Sequence, residues 1–351
     1  MANLMIVLSY MILSLWIAEA SSLHAANSSS KKHHVAKNRQ NWEDHQIKKA
    51  ERKCKEYVQY ACLHRKSFYE KYYHKDRILN GENVPEGMLP HMASIIVNRR
   101  TPSRTMDTIR CSGTLISDRY VMSAGHCVYT HDELKIKLGS LYNTDDGTGK
   151  WYDVKSIHKH PGFVDEYDLN DIVLLKLSKK VRFNSNVIPI CLNTKYKGDY
   201  DHVIASGWGH TEVGRPSKQL KMTELRLNGK ALESSCRRYI RSRWYPEILK
   251  TQTICAGGIE NQRDTCAGDS GGPLQVPLES GCPNTYEQIG ITSIGEANCT
   301  LDTKHPHIGL YGKVEYFVPW IASVVWPDSS DYHRNTLANF TEQLISNKTR
   351  S

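Results

Sequence analysis

At 351 residues the chain can bury more than one hydrophobic core. Hydrophobic residues make up only 39% of it, and past the first twenty residues no apolar run is long enough to span a bilayer, which excludes a multi-span membrane protein. The net charge of +9 is local: residues 28–77 hold fourteen Lys/Arg against six Asp/Glu, a net of +8, so the rest is nearly neutral.

The chain opens on an apolar stretch, Leu4 to Ile17, followed by Ala18-Glu19-Ala20. This pattern reads as a secretory signal peptide ending near Ala20, which would place the protein outside the cell, with an uncleaved membrane anchor as the alternative. No Lys or Arg precedes the apolar stretch, a departure from that pattern. Ten cysteines in a secreted chain imply disulfides. No Cys-x-x-Cys ladder points to a metal site. Residues 21–40 are polar and expected to be disordered. Between Trp42 and Tyr73, Ile47, Ala50, Cys54, Val58 and Ala61 recur at spacings of three and four, which predicts a short amphipathic helix. The basic character of this region reads as a solvated pro-segment, or alternatively as a site for heparin-like polyanions or an acidic partner. Nucleic acid is not an expected partner of a secreted chain, and no membrane contact is expected.

At Arg77-Ile78 the character changes. Short apolar runs such as 94–97, 120–122 and 134–138 alternate with Gly, Asn and Asp turns, which predicts an all-β barrel or sandwich. A second set runs from residues 202–205 through 289–292 to 310–314. A helix is expected from Tyr316 to Trp326, ended by Pro327. Residues 327–351 read as a polar tail. Sequons stand at Asn27, Asn298, Asn339 and Asn347, with Cys299 as the middle residue of the second.

Gly268-Asp269-Ser270-Gly271-Gly272-Pro273 carries the chemistry. A serine among glycines marks a tight turn that can present a hydroxyl and aim the N–H groups of Gly268 and Ser270 at one oxyanion. Serine needs a base and a group to orient it. The candidates are His126, in Ala124-Gly125-His126-Cys127, and Asp171, in Asn170-Asp171-Ile172-Val173. This order of motifs resembles the trypsin/chymotrypsin family of serine peptidases over residues 78 to 326. The resemblance implies two packed antiparallel six-stranded barrels with a C-terminal helix, preceded by a partly helical or disordered pro-segment. It divides the chain into a signal peptide (1–20), a basic pro-segment (21–77), a peptidase domain (78–326) and a tail (327–351).

The same resemblance implies roles. His126, Asp171 and Ser270 form the catalytic triad, with no cofactor. Asp264 lies at the bottom of a primary pocket that takes Arg or Lys, with Gly295 and Gly309 along its wall and Ser293 as a further substrate-binding residue. Arg77-Ile78 is the activating cut, and the new amine pairs with Asp269. Disulfides Cys111–Cys127, Cys236–Cys255 and Cys266–Cys299 follow the family. Three residues depart from its pattern: Gly125 replaces Ala, Ile294 replaces a cleft Trp, and Ser140 replaces a Glu calcium ligand, so no calcium is inferred.

Several stretches, including Cys54-Lys55-Glu56-Tyr57 and residues 206–212, resemble the arthropod clip-domain proteases of the Snake type, without a recognisable clip module. In that subgroup the position of Cys191 tethers the pro-segment, and Cys54 is the expected partner. On a helix Cys54 and Cys62 would lie roughly 12 Å apart, too far to bridge each other, which leaves Cys62 for Cys282; the exchanged pairing is the alternative. Expected partners are protein substrates with exposed Arg/Lys sites, an upstream activating protease and serpin-type inhibitors. The expected setting is an extracellular proteolytic cascade. A venom or reproductive-fluid protease, or a non-catalytic binding protein on the same fold, are the alternatives.

Overall fold

The computed structural model describes residues 36–64, 82–100, 106–129, 131–165, 169–200, 202–211, 215–227, 230–242, 246–258, 265–280, 282–295 and 307–328. The expected signal peptide, Arg77, Ile78, Asp264, Cys299, the sequons at Asn27, Asn298, Asn339 and Asn347, and nearly all of the tail lie outside these residues.

Six strands close the first barrel: β2 (Met92–Arg100), β3 (Met106–Leu115), β4 (Tyr120–Ser123), β5 (Glu133–Leu138), β6 (Lys150–Lys159) and β7 (Val173–Leu177), in the order β2-β3-β4-β7-β6-β5. The second contains β9 (His202–Gly207), β10 (Lys221–Arg226), β11 (Thr253–Gly258), β12 (Pro273–Pro277), β13 (Tyr286–Gly295) and β14 (His307–Lys313). Their order is β9-β10-β11-β14-β13-β12, and the ring closes because β9 pairs with both β10 and β12. Short strands β1 (Glu82–Asn83) and β8 (Cys191–Leu192) add to β10 and β13. The expected pair of antiparallel six-stranded barrels is the observed architecture.

Alternation along single strands builds two cores at once. On β7, Val173, Leu175 and Leu177 point into the first barrel. Leu174, between them, joins Met92, Met122, Trp208 and Ile291 in the layer between the barrels. A strand buried on both faces reads as a continuous apolar run, which Val173-Leu174-Leu175 is. Truncating Leu174 would cost about 2–5 kcal/mol, because its fully buried place between the barrels cannot collapse freely. Across the same layer the Thr114 hydroxyl donates to Gln288 Oε1 at 2.7 Å, joining β3 to β13.

Four helices flank the barrels among the described residues, and two of them, Lys230–Arg241 and Pro246–Gln252, have no counterpart in the sequence reading. The first helix, α1, spans residues 36–64 and is longer than the periodic stretch that predicted it. Its first turn falls in the segment expected to be disordered. Arg39 pairs with Glu43 at 2.8 Å and Gln40 with Asp44 at 2.9 Å, both i,i+4 contacts that extend a helix. α2 (Lys230–Arg241) and α3 (Pro246–Gln252) follow β10, and α4 (Val314–Val325) closes the described fold. α4 begins two residues before the expected helix and buries Phe317, Val318 and Ile321 between the barrels.

α1 is bound tightly to the barrels. Ala50, Tyr57 and Ala61 are buried beneath it. The Tyr60 hydroxyl donates to the Phe183 carbonyl at 2.8 Å, and the Tyr57 and Tyr60 rings meet Phe183 edge-on. Lys49, with a side chain only 4% exposed, pairs with Asp328 beyond the end of α4 at 2.9 Å. Disulfides Cys54–Cys191 and Cys62–Cys282 fasten the helix at two points.

The loop after β5 closes on a lysine. Lys137 is almost wholly buried, and its ammonium donates to the Tyr142 carbonyl at 3.2 Å, the Thr144 carbonyl at 2.5 Å and Asp146 Oδ1 at 2.5 Å. Hydrogen bonds from Lys137 and Thr148 hold the Asp146 carboxyl well below the usual range. Ser140, at the position where the family resemblance places a Glu calcium ligand, bonds Tyr142 and Thr148.

Candidate active site

Three loops from two barrels meet at the cleft. His126 stands on a single 3-10 turn, Gly125–Cys127, directly after β4. Asp171 precedes β7, which pairs with β4. Both therefore ride on neighbouring strands of the first barrel. Ser270 comes from the loop before β12 of the second barrel. The Ser112 N–H of β3 donates to the Ser270 carbonyl at 2.9 Å, and the Ser112 hydroxyl donates to the Gly268 carbonyl at 3.2 Å. One barrel thus holds the serine loop of the other.

Asp171 is buried and clamps the histidine. Its Oδ1 accepts the His126 backbone N–H at 2.8 Å, and its Oδ2 lies 2.8 Å from His126 Nδ1. The Ser293 hydroxyl donates to the same Oδ2 at 2.5 Å. Burial alone would raise the Asp171 carboxyl; the His126 ring, its charge and the Ser293 hydroxyl outweigh it and hold the pKa below the ordinary value. The carboxylate stays ionised, and Nδ1 is fixed as the nitrogen facing it. Nε2 is left as the nitrogen that can accept a proton.

Gly125 explains its own departure. A Cβ there would come within 2.9 Å of the Phe163 ring and 3.2 Å of Asp171 Oδ1. The missing methyl lets Phe163 lie against the histidine turn.

The serine loop is tight for a visible reason. Gly271 has φ +80°, and a Cβ on it would overlap the Ser123 hydroxyl and the Ser112 carbonyl. The N–H groups of Asp269, Gly271 and Gly272 donate to Cys266, Thr292 and Asp269 carbonyls. Those of Gly268 and Ser270 donate to nothing among the described residues. Two unused donors therefore flank the hydroxyl, as an oxyanion site needs.

Asp269 turns away from this cleft into the protein. Its Oδ1 accepts the Gly209 N–H at 2.7 Å and its Oδ2 the Cys266 N–H at 2.9 Å. The carboxylate packs so closely on Gly209 that no Cβ would fit there. The residue as a whole is partly exposed, but this packing encloses its carboxyl. Burial pushes its pKa up to about 6, against the opposing pull of the two N–H bonds. No cation pairs with it among the described residues. His160 packs edge-on against Phe317 and Trp320, and burial lowers its pKa to about 4, so it stays neutral near pH 7.

The expected pocket is described in part. Gly295 and Gly309 are cross-strand partners of β13 and β14, so two residues without side chains sit abreast. Thr265, next to Asp264 in sequence, is buried and bonds the Tyr311 hydroxyl at 2.9 Å. The Ser293 hydroxyl engages Asp171, a contact that no local motif signals. Ile294 packs against Leu169, Ile240, Leu249 and Leu310. Disulfides join Cys111 to Cys127 and Cys236 to Cys255, and Cys266 is also disulfide-bonded.

The sequence model of the Trypsin family matches residues 78–321. The proclotting enzyme of Tachypleus tridentatus is 32% identical over 264 residues, covering 70% of this chain and 65% of that protein. Serine protease snk of Drosophila melanogaster is 30% identical over 71% of this chain and 57% of its own length. Serine protease Hayan of the same fly is 32% identical over 72% of this chain and 39% of its own length. The chain thus spans between two fifths and two thirds of the length of these relatives.

Proposed function

The chain belongs to the trypsin family of serine peptidases, and from that membership we propose that it is a secreted serine endopeptidase made as a zymogen and cutting after Arg or Lys. The observation that carries the reading is the Asp171–His126 clamp, on the turn whose Cys127 touches the Ser270 carbonyl, beside a serine loop with two N–H groups that donate to nothing among the described residues. His126 Nε2 takes the Ser270 proton as Oγ attacks the substrate carbonyl. The negative charge on the carbonyl oxygen falls between the Gly268 and Ser270 N–H groups. His126 then gives its proton to the leaving amine. Water, deprotonated by the same nitrogen, releases the acyl group and regenerates Ser270.

Residues 1–20 are removed on secretion in this reading, 21–77 form a pro-segment, and the peptidase unit runs from 78 to 326. Cleavage at Arg77-Ile78 frees the amine that pairs with Asp269. The relative named for clotting supports a place in an extracellular proteolytic cascade, with an activating protease upstream and serpin-type inhibitors as regulators. The test is covalent. After cleavage at Arg77, a fluorophosphonate should label Ser270 and fail to label Ser270→Ala. A cleaved, folded chain that takes no label would be a non-catalytic member of the family.

The uncut chain should be weaker than the cut one near neutral pH. A buried carboxyl whose folded pKa is raised binds protons more tightly folded than unfolded. Its penalty is fully present above about pH 6 and fades as pH falls toward the unfolded value. On that basis Asp269 costs the uncut form on the order of 2–3 kcal/mol at pH 7.5. The Ile78 ammonium offsets this after cleavage. Asp171 has the opposite sign, contributing stability that is lost only in acid, and it is common to both forms. Urea unfolding should show the cut form more stable at pH 7.5 and the gap narrowing at pH 5. A gap of equal size at both pH values counts against the pairing of Ile78 with Asp269.

A further inference from the structure

The outward face of α1 carries four cations that make no ion pair among the described residues. Lys37, Lys48, Arg52 and Lys55 lie on one side of the helix at heptad-like spacing, interrupted by Asn41 and Asp44 and followed by Gln59. All are solvent-exposed. None of the four cations makes an ion pair among the described residues, whereas Arg39, Lys49 and Lys53 elsewhere on the helix are paired. Ala50, Tyr57 and Ala61, on the opposite side of the helix, are buried against the barrels. The row runs about 27 Å along the helix axis. Two disulfides and the Lys49–Asp328 pair hold it at a fixed orientation. A segment that served only to solubilise the chain would need neither order nor a double tether.

We propose that this ridge docks a linear sulfated polysaccharide. Its length and its excess of positive charge over Asp44 and the neighbouring Glu51 suit a chain of regularly spaced sulfates, with affinity from release of the counterions that such a polymer condenses. It lacks the aromatic anchor that most protein interfaces need. It lacks the apolar strip that a membrane-surface helix inserts, since the apolar face of α1 is already covered by the barrels. It offers no ring for stacking single-stranded bases. Because Cys54 and Cys62 bond to Cys191 and Cys282 across the expected cut, the ridge would remain with the catalytic unit after activation.

Binding of the full chain to immobilised heparin at 0.15 M NaCl tests this. The triple variant K48Q/R52Q/K55Q should bind about tenfold or more weakly, with the slope of log affinity against log salt reduced by about two to three. A second basic cluster supplies the comparison: Arg237, Arg238 and Arg241 on α2 are exposed and line a shallow cavity of about 330 Å³ with Glu233 and Ser234. R237Q/R238Q/R241Q removes the same charge and should leave heparin affinity near wild type. Heparin binding untouched by the α1 changes, a loss that follows the α2 changes instead, or tighter binding to duplex DNA than to heparin would each overturn the proposal. Both variants should keep the wild-type melting temperature within a few degrees. The assay requires no catalysis, so its outcome is independent of the fluorophosphonate result.

Discussion

Asp171→Asn should lower kcat by about 10⁴ while leaving KM for a small Arg substrate near wild type. Asp171 accepts hydrogen bonds from the His126 amide, the His126 ring and the Ser293 hydroxyl. An asparagine oxygen can replace one of its oxygens, but the amide nitrogen must donate where a carboxylate accepted. Presented to Nδ1, that donor forces the proton onto Nε2, the nitrogen that must take the Ser270 proton. The imidazolium formed during attack also loses its counter-charge. Both losses are confined to the reacting state, so the defect belongs in kcat. The measurement is steady-state hydrolysis by the cleaved enzyme, beside fluorophosphonate labelling, whose rate should fall in step. A variant that keeps a tenth of the wild-type rate would remove Asp171 from the orienting role.

The second large effect concerns the choice of substrate. The cleaved enzyme should cut peptides with Arg or Lys on the acyl side of the bond and hardly cut those with Phe. Asp264→Ser should reduce kcat/KM on Arg substrates by about 10²–10³, the worth of one desolvated charge pair broken on one side. A substrate guanidinium meets a carboxylate with two parallel hydrogen bonds, while Phe would leave that charge buried and unpaired. The paired glycines Gly295 and Gly309 keep the neighbouring strands free of side chains. Equal rates on Arg and Phe substrates in the wild type would sink the assignment of Asp264.

The barrels were legible because period-2 alternation and turn residues are local signals. The runs at 94–97, 120–122 and 134–138 fall inside β2, β4 and β5. The triad candidates were legible because three motifs occur in one order. The bond of Ser293 to Asp171 was not, because it depends on two segments 122 positions apart. α2 escaped for a different reason. Leu232, Cys236 and Ile240 do form a buried stripe at spacing four, but they are embedded in a strongly polar helix. α1 was foreseen as an apolar stripe, yet its buried face also holds Gln46 and Lys49, polar residues that periodicity counts against burial. The ion pair with Asp328, far along the chain, gives Lys49 a reason to be there.

Lys137 gives the loop around residues 139–149 a cation that belongs to the chain. Two carbonyls and a carboxylate gathered on one positive charge make the kind of cradle that a dissociable ion could also fill. A tethered ammonium has no dissociation equilibrium. It cannot be diluted away, exchanged or removed by a chelator, and its effective concentration is set by four methylenes rather than by the surrounding fluid. Acid is a poor lever as well, because the Asp146 carboxyl titrates far below the usual carboxylate range. The geometry of this rim of the first barrel is therefore uncoupled from the ionic composition of whatever fluid the protein enters.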